Sequence, residues 1–399
     1  MRFKCNICHA VLESADVFDG DEIACPSCGA KIVCHDDSTD PTRENPHVRI
    51  LSGATGKSRG GATTVLDGVT SALGVENLRG FQWKSFFSEV FRHHSRHEVE
   101  DYFMVGTSKT TPDIFDVAPE WPKPWMFARC LMATAVLYAI AYGMCSCFGS
   151  HLKSNVTDMI IIGSFAVPMS FTVLFYELNV RRNVSLFQVI RMFFFGGIIS
   201  MYLLYPMGPV EAFISQSLNL SESWGAVLAG PIEETTKLAA VIFLARKLRY
   251  RYILNGLLLG AAVGAGFGVF ESSGYAYGAI SYRNNIGFLS EQIISRAIFA
   301  PVGHVAYTAI SAAALWRVME DRPFEFAHLK DWKFLRLFLF SVGLHFFWNS
   351  PLLIESFGES SWYIKMAIVG VVAWLVILSL VQEGLRQIRK EQEAIANAE

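Results

Sequence analysis

"AGPIEETTKLAAVIF", Ala229 to Phe243, decides the fold. It reads as a membrane helix, yet it carries Glu233, Glu234 and Lys237. Each charged side chain at the centre of a bilayer costs about 2.5–3.5 kcal/mol on insertion scales. A leucine or valine returns only about 0.3–0.6 kcal/mol. Glu233 and Lys237 stand four residues apart, on one helical face, and can neutralise each other. Glu234 is rotated by about 100° from Glu233, so one glutamate can face a site while the other supports it.

The rest of the chain fits a membrane setting. It has 399 residues, 52% hydrophobic and only 18% charged, with a mean hydropathy of +0.32. Residues 1–120 are polar, and the apolar runs begin near Trp125. Eight runs are long enough to span a bilayer: 126–148, 157–179, 185–206, 224–245, 253–278, 290–315, 333–353 and 362–383. Basic residues gather after alternate runs, at Arg181 and Arg182, Arg246 to Arg251, Arg317 to Lys333, and Arg386 to Lys390. The positive-inside rule then puts both termini in the cytoplasm. The expectation is an all-α polytopic membrane protein of about eight transmembrane helices with a small N-terminal zinc ribbon. Its parts are a ribbon (1–36), a partly amphipathic cytoplasmic linker (37–122), a membrane domain (123–387) and a cytoplasmic tail (388–399). The formal net charge of −2 gives no reason to expect a nucleic-acid partner.

"CNIC" and "CPSC" supply the head with Cys5, Cys8, Cys25 and Cys28, two C-x2-C pairs at the spacing of a structural zinc site. Four thiolates close a tetrahedron around Zn²⁺ and leave no open position for catalysis. Such a head suits a reducing compartment and a cytosolic protein partner. "GATGKS", Gly53 to Ser58, is one glycine short of a phosphate loop, because Leu51 stands where the first glycine belongs. In the linker, Phe86, Phe87, Val90 and Phe91 fall along one helical face. "HHSRHE", His93 to Glu98, reads as a solvated tract.

Polar groups inside the runs concentrate in the fourth to seventh. They are Glu233, Glu234 and Lys237, then Glu271 in "FGVFE", then Arg296 and His304, then His345 and Asn349 in "HFFWN". His345 and Asn349 share a helical face. The fifth run, "GLLLGAAVGAGFG", is rich in small residues that let a neighbouring helix come close. Four helices would thus bring carboxylate, imidazole and amide groups to one interior spot. A buried carboxylate beside a lysine can serve as a general base. Imidazole and amide groups can bind a metal or donate to an oxyanion.

"EETTK", "FGVFE" and "HFFWN" resemble the E-E-x-x-K, F-x-x-x-E and H-x-x-x-N motifs of the PrsW family of intramembrane proteases, which looks related to the CAAX prenyl endopeptidases and bacteriocin-processing proteases. The resemblance covers roughly residues 125–385. It implies hydrolysis of membrane-bound regulatory proteins, such as anti-sigma factors, at a bacterial plasma membrane. It gives Glu233, Glu234, Glu271, His304, His345 and Asn349 catalytic places and Lys237 the basic position. Independently of it, Lys237 is expected to balance charge and Arg296 to pair with Glu271. Two chemistries stay open: water activated by Glu233 or Glu234 alone, or a catalytic zinc held by His304, His345 and Glu271. Two rival functions remain: an ion- or proton-coupled transporter using the same carboxylates, and a membrane scaffold that recruits partners through the ribbon.

Overall fold

A computed structural model describes residues 2–4, 11–13, 22–24, 31–33, 63–148 and 153–398, except 77, 79, 249, 359 and 360. The chain divides into two units, Met1–Gly61 and Ala62–Glu399. In the first, β1 (Arg2–Lys4) pairs antiparallel with β2 (Val11–Glu13), and β3 (Glu22–Ala24) with β4 (Lys31–Val33). One C-x2-C pair falls in the connection of each hairpin. The four cysteines and the Gly53–Ser58 stretch lie outside the described residues.

The second unit is helical among its described residues. It comprises α1 (Thr63–Leu73), α2 (Arg96–Phe103), α3 (Met126–Phe148), α4 (Lys153–Leu178), α5 (Leu186–Ser217), α6 (Ala229–Ala245), α7 (Ile253–Arg283), α8 (Ile286–Phe299), α9 (His304–Met319), α10 (Trp332–Asn349) and α11 (Ser361–Ala396). A π-turn at Met192–Gly196 interrupts α5. Among the described residues, six segments are long and apolar enough to cross a membrane: α3, α4, α5, α7, the α8–α9 stretch and α11. This makes the chain an integral membrane protein, with six candidate spans against the eight expected. The expected fourth and seventh runs correspond to α6, of 17 residues, and α10, of 18. Glu233, Glu234 and Lys237 on α6, and Lys333, Arg336 and His345 on α10, cut their hydropathy, and a separate short helix and 3-10 turn precede α6.

α7 is the hub, and glycine explains why. Gly256, Gly260 and Gly264 recur every fourth residue and face α9. A β-carbon on Gly260 would sit 2.4 Å from the Thr308 carbonyl oxygen, and one on Gly264 would sit 2.2 Å from that of His304. Gly266 meets the π-turn of α5, where a β-carbon would lie 1.8 Å from the Phe193 carbonyl oxygen. Small residues thus let two backbones touch α7 where larger ones would hold them apart. Between α8 and α9 the helix breaks at a 3-10 turn, Ala300–Val302, and at Gly303. His304 consequently opens a new helix.

From residue 63 onward, the segment read as a linker packs into the same unit as the membrane helices. Leu73, Val75, Phe86, Ile114 and Val117 join the main apolar core. The expected amphipathic helix does not form: a single turn, Trp83–Phe86, is separated from α2, with Phe86 and Val90 buried but Phe87 and Phe91 exposed. His94 corrects the solvated reading of its tract. Its ring is buried, stacks 3.6 Å from that of Trp125, and bonds to the Glu98 carboxylate at 2.9 Å.

Glu177 does similar work at the start of α3. Its carboxylate accepts the backbone N–H groups of Trp125, Met126 and Phe127 at 2.7–2.9 Å, and the Tyr102 hydroxyl at 3.2 Å. Burial, with the Glu177 charge beside it, pushes the Tyr102 phenol well above its usual range, so it stays a donor. Glu177→Leu leaves three N–H groups at a helix start without an acceptor. It is expected to destabilise the unit by about 2–3 kcal/mol, read as a lower Tm in detergent. An unchanged Tm would show that water replaces the carboxylate there.

Candidate active site

The site begins with Gly230. A β-carbon there would lie 2.9 Å from the Phe346 backbone nitrogen, so α6 rests directly on α10 beside His345. One turn on, the two glutamates separate. Glu234 is fully buried and forms a 2.6 Å pair with Lys237, also fully buried. The Glu234 carboxylate also meets His345 Nδ1 at 2.9 Å and accepts from the Thr308 hydroxyl at 3.3 Å. Glu233 keeps 13% side-chain exposure and lies farther from Lys237, at 3.4 Å. The ion pair expected between Glu233 and Lys237 is therefore closer on Glu234. At i,i+3 Glu234 also faces Lys237, and it has no access to the cavity to compete for it. Phe267 stacks under the ammonium, 4.4 Å from its ring centroid.

Glu233 faces a cavity of about 480 Å³, lined among others by Glu271, His304, Tyr307, His345 and Asn349. One carboxylate oxygen, Oε2, lies 3.6 Å from His304 Nδ1 and 3.8 Å from His345 Nε2. These separations exceed hydrogen-bond length and leave room for a third atom between the three groups. Behind each ring stands a carboxylate. Glu271 Oε2 holds His304 Nε2 at 2.8 Å, as Glu234 holds His345 Nδ1. A ring nitrogen that faces a carboxylate carries the proton, so the opposite nitrogen presents a lone pair. Both imidazoles thus turn lone pairs toward Glu233.

Arg296 bonds to Glu271 and donates to Ser272 Oγ at 2.9 Å, and its guanidinium lies 4.3 Å over the Tyr275 ring. Asn349 lines the cavity one turn beyond His345. The structure thus places every motif residue named from the sequence around one cavity or directly behind it. It also adds residues that local pattern gave no hint of. Thr308 supports Glu234, and Tyr307 packs its ring 5.3 Å from that of His345. Glu211, from α5, lines the same wall. Lys365 of α11 is buried and donates to the carbonyls of Trp348 and Ser350, at 3.0 and 2.6 Å, on either side of Asn349. A cation at a helix C-terminus is favourable, and this one fixes the end of α10.

Ligand atoms of Glu233, His304 and His345 lie within 4.8 Å of one another, a spacing that suits one metal ion. This corrects the ligand set expected from the sequence, in which Glu271 took the place of Glu233. Glu271 sits behind His304 and is already bound to Arg296. The donor set and the two tautomers fit a zinc-type ion. One contact opposes it: Lys237 donates to His304 Nδ1 at 2.9 Å and competes for that lone pair.

Buried carboxylates, imidazoles and a cavity on apolar helices define a membrane-embedded polar site of the kind that hydrolyses or conducts. Residues 185–381 match the model of the PrsW family intramembrane metalloprotease, which favours hydrolysis. The matched range contains all eight site residues read from the sequence. No curated protein and no solved structure matches the chain.

Proposed function

We propose that the chain is an intramembrane endopeptidase that hydrolyses peptide bonds of membrane-associated proteins. Glu233 carries the reading: a carboxylate open to a buried cavity, with two oriented imidazoles 3.6 and 3.8 Å from one oxygen. In this reading Glu233 takes the proton of the attacking water through Oε1 and returns it to the leaving amine. Asn349 orients the scissile amide from the cavity wall. Glu234 and Glu271 hold the imidazole tautomers, while Lys237 and Arg296 keep the buried carboxylates near neutrality. Where a metal ion binds, Glu233, His304 and His345 hold it, and it supplies Lewis-acid polarisation of the scissile carbonyl.

The finer parts of the proposal are these. The substrate is a membrane-bound regulator such as an anti-sigma factor, and the membrane is a bacterial plasma membrane with both termini cytoplasmic. The head holds structural zinc through Cys5, Cys8, Cys25 and Cys28, and recruits a cytosolic protein. The placing of one C-x2-C pair in each hairpin connection supports that assignment.

The test is cleavage of a panel of single-span membrane proteins co-reconstituted with the full chain in vesicles. Glu233→Gln is expected to lower the rate at least about 100-fold with little change in Tm. Cleavage by Glu233→Gln at the wild-type rate would refute the assignment. Metal analysis decides the chemistry. With the four ribbon cysteines changed to serine, one ion per chain that is lost in His345→Ala identifies a metalloenzyme, and active metal-free protein identifies a glutamate peptidase.

A further inference from the structure

Where α9 packs against α10, three buried hydroxyls lack a partner among the described residues. Tyr307 Oη and Ser311 Oγ on α9, and Ser341 Oγ on α10, are shielded from the surface and have no hydrogen-bond partner. The residues are 0–1% exposed. Ser311 lies one turn beyond Tyr307, and Ser341 one turn before His345. The Tyr307 ring, 5.3 Å from that of His345, ties this end of the seam to the Glu234–His345 pair. Each unpartnered buried hydroxyl costs about 1–3 kcal/mol, so a row of them on one seam calls for a ligand.

The pattern continues toward the basic end of the bundle. Arg317 Nη1, Arg336 Nε, Glu383 Oε2 and Glu76 Oε2 are further buried polar atoms without partners. These four residues meet around the end of α1. Arg317 bonds to Glu383 at 2.7 Å and to the Gly74 carbonyl at 2.6 Å. The Arg336 guanidinium lies against Gly74, where a β-carbon would come within 2.1 Å of it, and Glu76 pairs with Arg386. The unsatisfied groups mix donors, acceptors and hydroxyls that serve as either. No anion or cation satisfies such a mixture, whereas water does.

We propose that the seam between α9 and α10 binds water at two places, one around Tyr307, Ser311 and Ser341 and one around the Arg317–Glu383 pair, with the buried Ala314, Leu315 and Leu337 between them. Each water finds protein groups among the orphaned atoms. The first group reaches the site at Tyr307 and His345, which also line the cavity. Its use in hydrolysis rests on the peptidase reading, but the water binding does not.

Radiolytic labelling tests it on the full chain in lipid nanodiscs. Ser311→Cys, Ser341→Cys and Ala312→Cys are exposed to a short X-ray pulse in H2-18O, and thiol oxidation at each position is read by mass spectrometry. Ala312 is equally buried but faces Gly260 of α7 and so serves as the dry control. Oxidation with 18O uptake several-fold faster at 311 and 341 than at 312 is the expected result. Equal rates at all three positions would overturn the proposal. Stability gives an independent reading. Ser341→Ala removes a water-bonded hydroxyl and is expected to lower Tm, whereas an unchanged or raised Tm means the hydroxyl was dry. Neither measurement involves proteolysis, so loss of the bound water and loss of the peptidase reading are distinguishable.

Discussion

Glu234→Leu is expected to unfold the membrane unit far below the temperature at which Glu233→Gln does. The two residues are neighbours in sequence and share a charge, but their surroundings differ. Glu234 has no exposed surface and binds Lys237, His345 and Thr308 at once. Removing it leaves the fully buried Lys237 ammonium with only the longer 3.4 Å contact to Glu233 and the bond to His304. Breaking a buried pair from one side costs about 3–5 kcal/mol, because the remaining charge stays out of water. Glu233 faces the cavity, and its amide variant keeps the same shape. The control is Glu234→Leu combined with Lys237→Leu, which removes both charges and is expected to recover most of the lost Tm. Were Glu234→Leu as stable as Glu233→Gln, the assignment of Glu234 as the structural member of the pair would be wrong.

Gly264→Val is expected to prevent α7 and α9 from packing. A β-carbon at 264 would lie 2.2 Å from the carbonyl oxygen of His304 and 2.9 Å from its carbonyl carbon. Both are backbone atoms, which do not swing aside. The helices must separate, at a cost of about 3 kcal/mol or more, and His304 moves with them. Gly268, one turn on, gives the contrast. A β-carbon there would meet the His304 side chain at 3.5 Å, ordinary van der Waals contact. Gly268→Ala is therefore expected to leave a monodisperse protein with nearly wild-type Tm, and Gly264→Val to yield little folded protein. Equal recovery of the two would mean that the α7–α9 approach is looser than described.

The motif residues were legible because each carries its meaning locally. A carboxylate pair with a lysine four residues on, or a histidine four residues before an asparagine, announces itself on any apolar helix. Even the division between Glu233 and Glu234 follows from the helical rotation, although which one faces the cavity depends on where α10 packs. The partners behind the motifs were not legible. Thr308 is 74 residues from Glu234, and Tyr102 is 75 from Glu177. Lys365 looked like part of the last span, since nothing near it says that its ammonium reaches the end of α10. The same holds for residues 63–122. Leu73, Val75, Ile114 and Val117 belong to no sustained periodicity, and Phe86 reads as part of an amphipathic face rather than of the core. The count of spans differs because the fourth and seventh runs read as apolar despite their charges, whereas α6 and α10, at 17 and 18 residues, fall short in length or hydropathy of the six candidate spans.

The break at Gly303 affects the charge balance of the cavity. Glu233, Glu234 and Glu271 set three negative charges against one ammonium, Lys237, and one guanidinium, Arg296, and Glu211 adds a fourth carboxylate on the cavity wall. Carboxylates thus outnumber cations there. Because the helix restarts at His304, the positive end of a 16-residue helix dipole lies at that spot. Such an end acts as about half a positive charge. A continuous helix through residue 303 would place its mid-section there and contribute almost nothing. At His304 the interruption therefore acts as a local partial counter-ion, offset in part by the negative end of α8 at Phe299 and Ala300 on the same wall. The fraction of negative charge that remains favours a proton or a cation over an anion at Glu233.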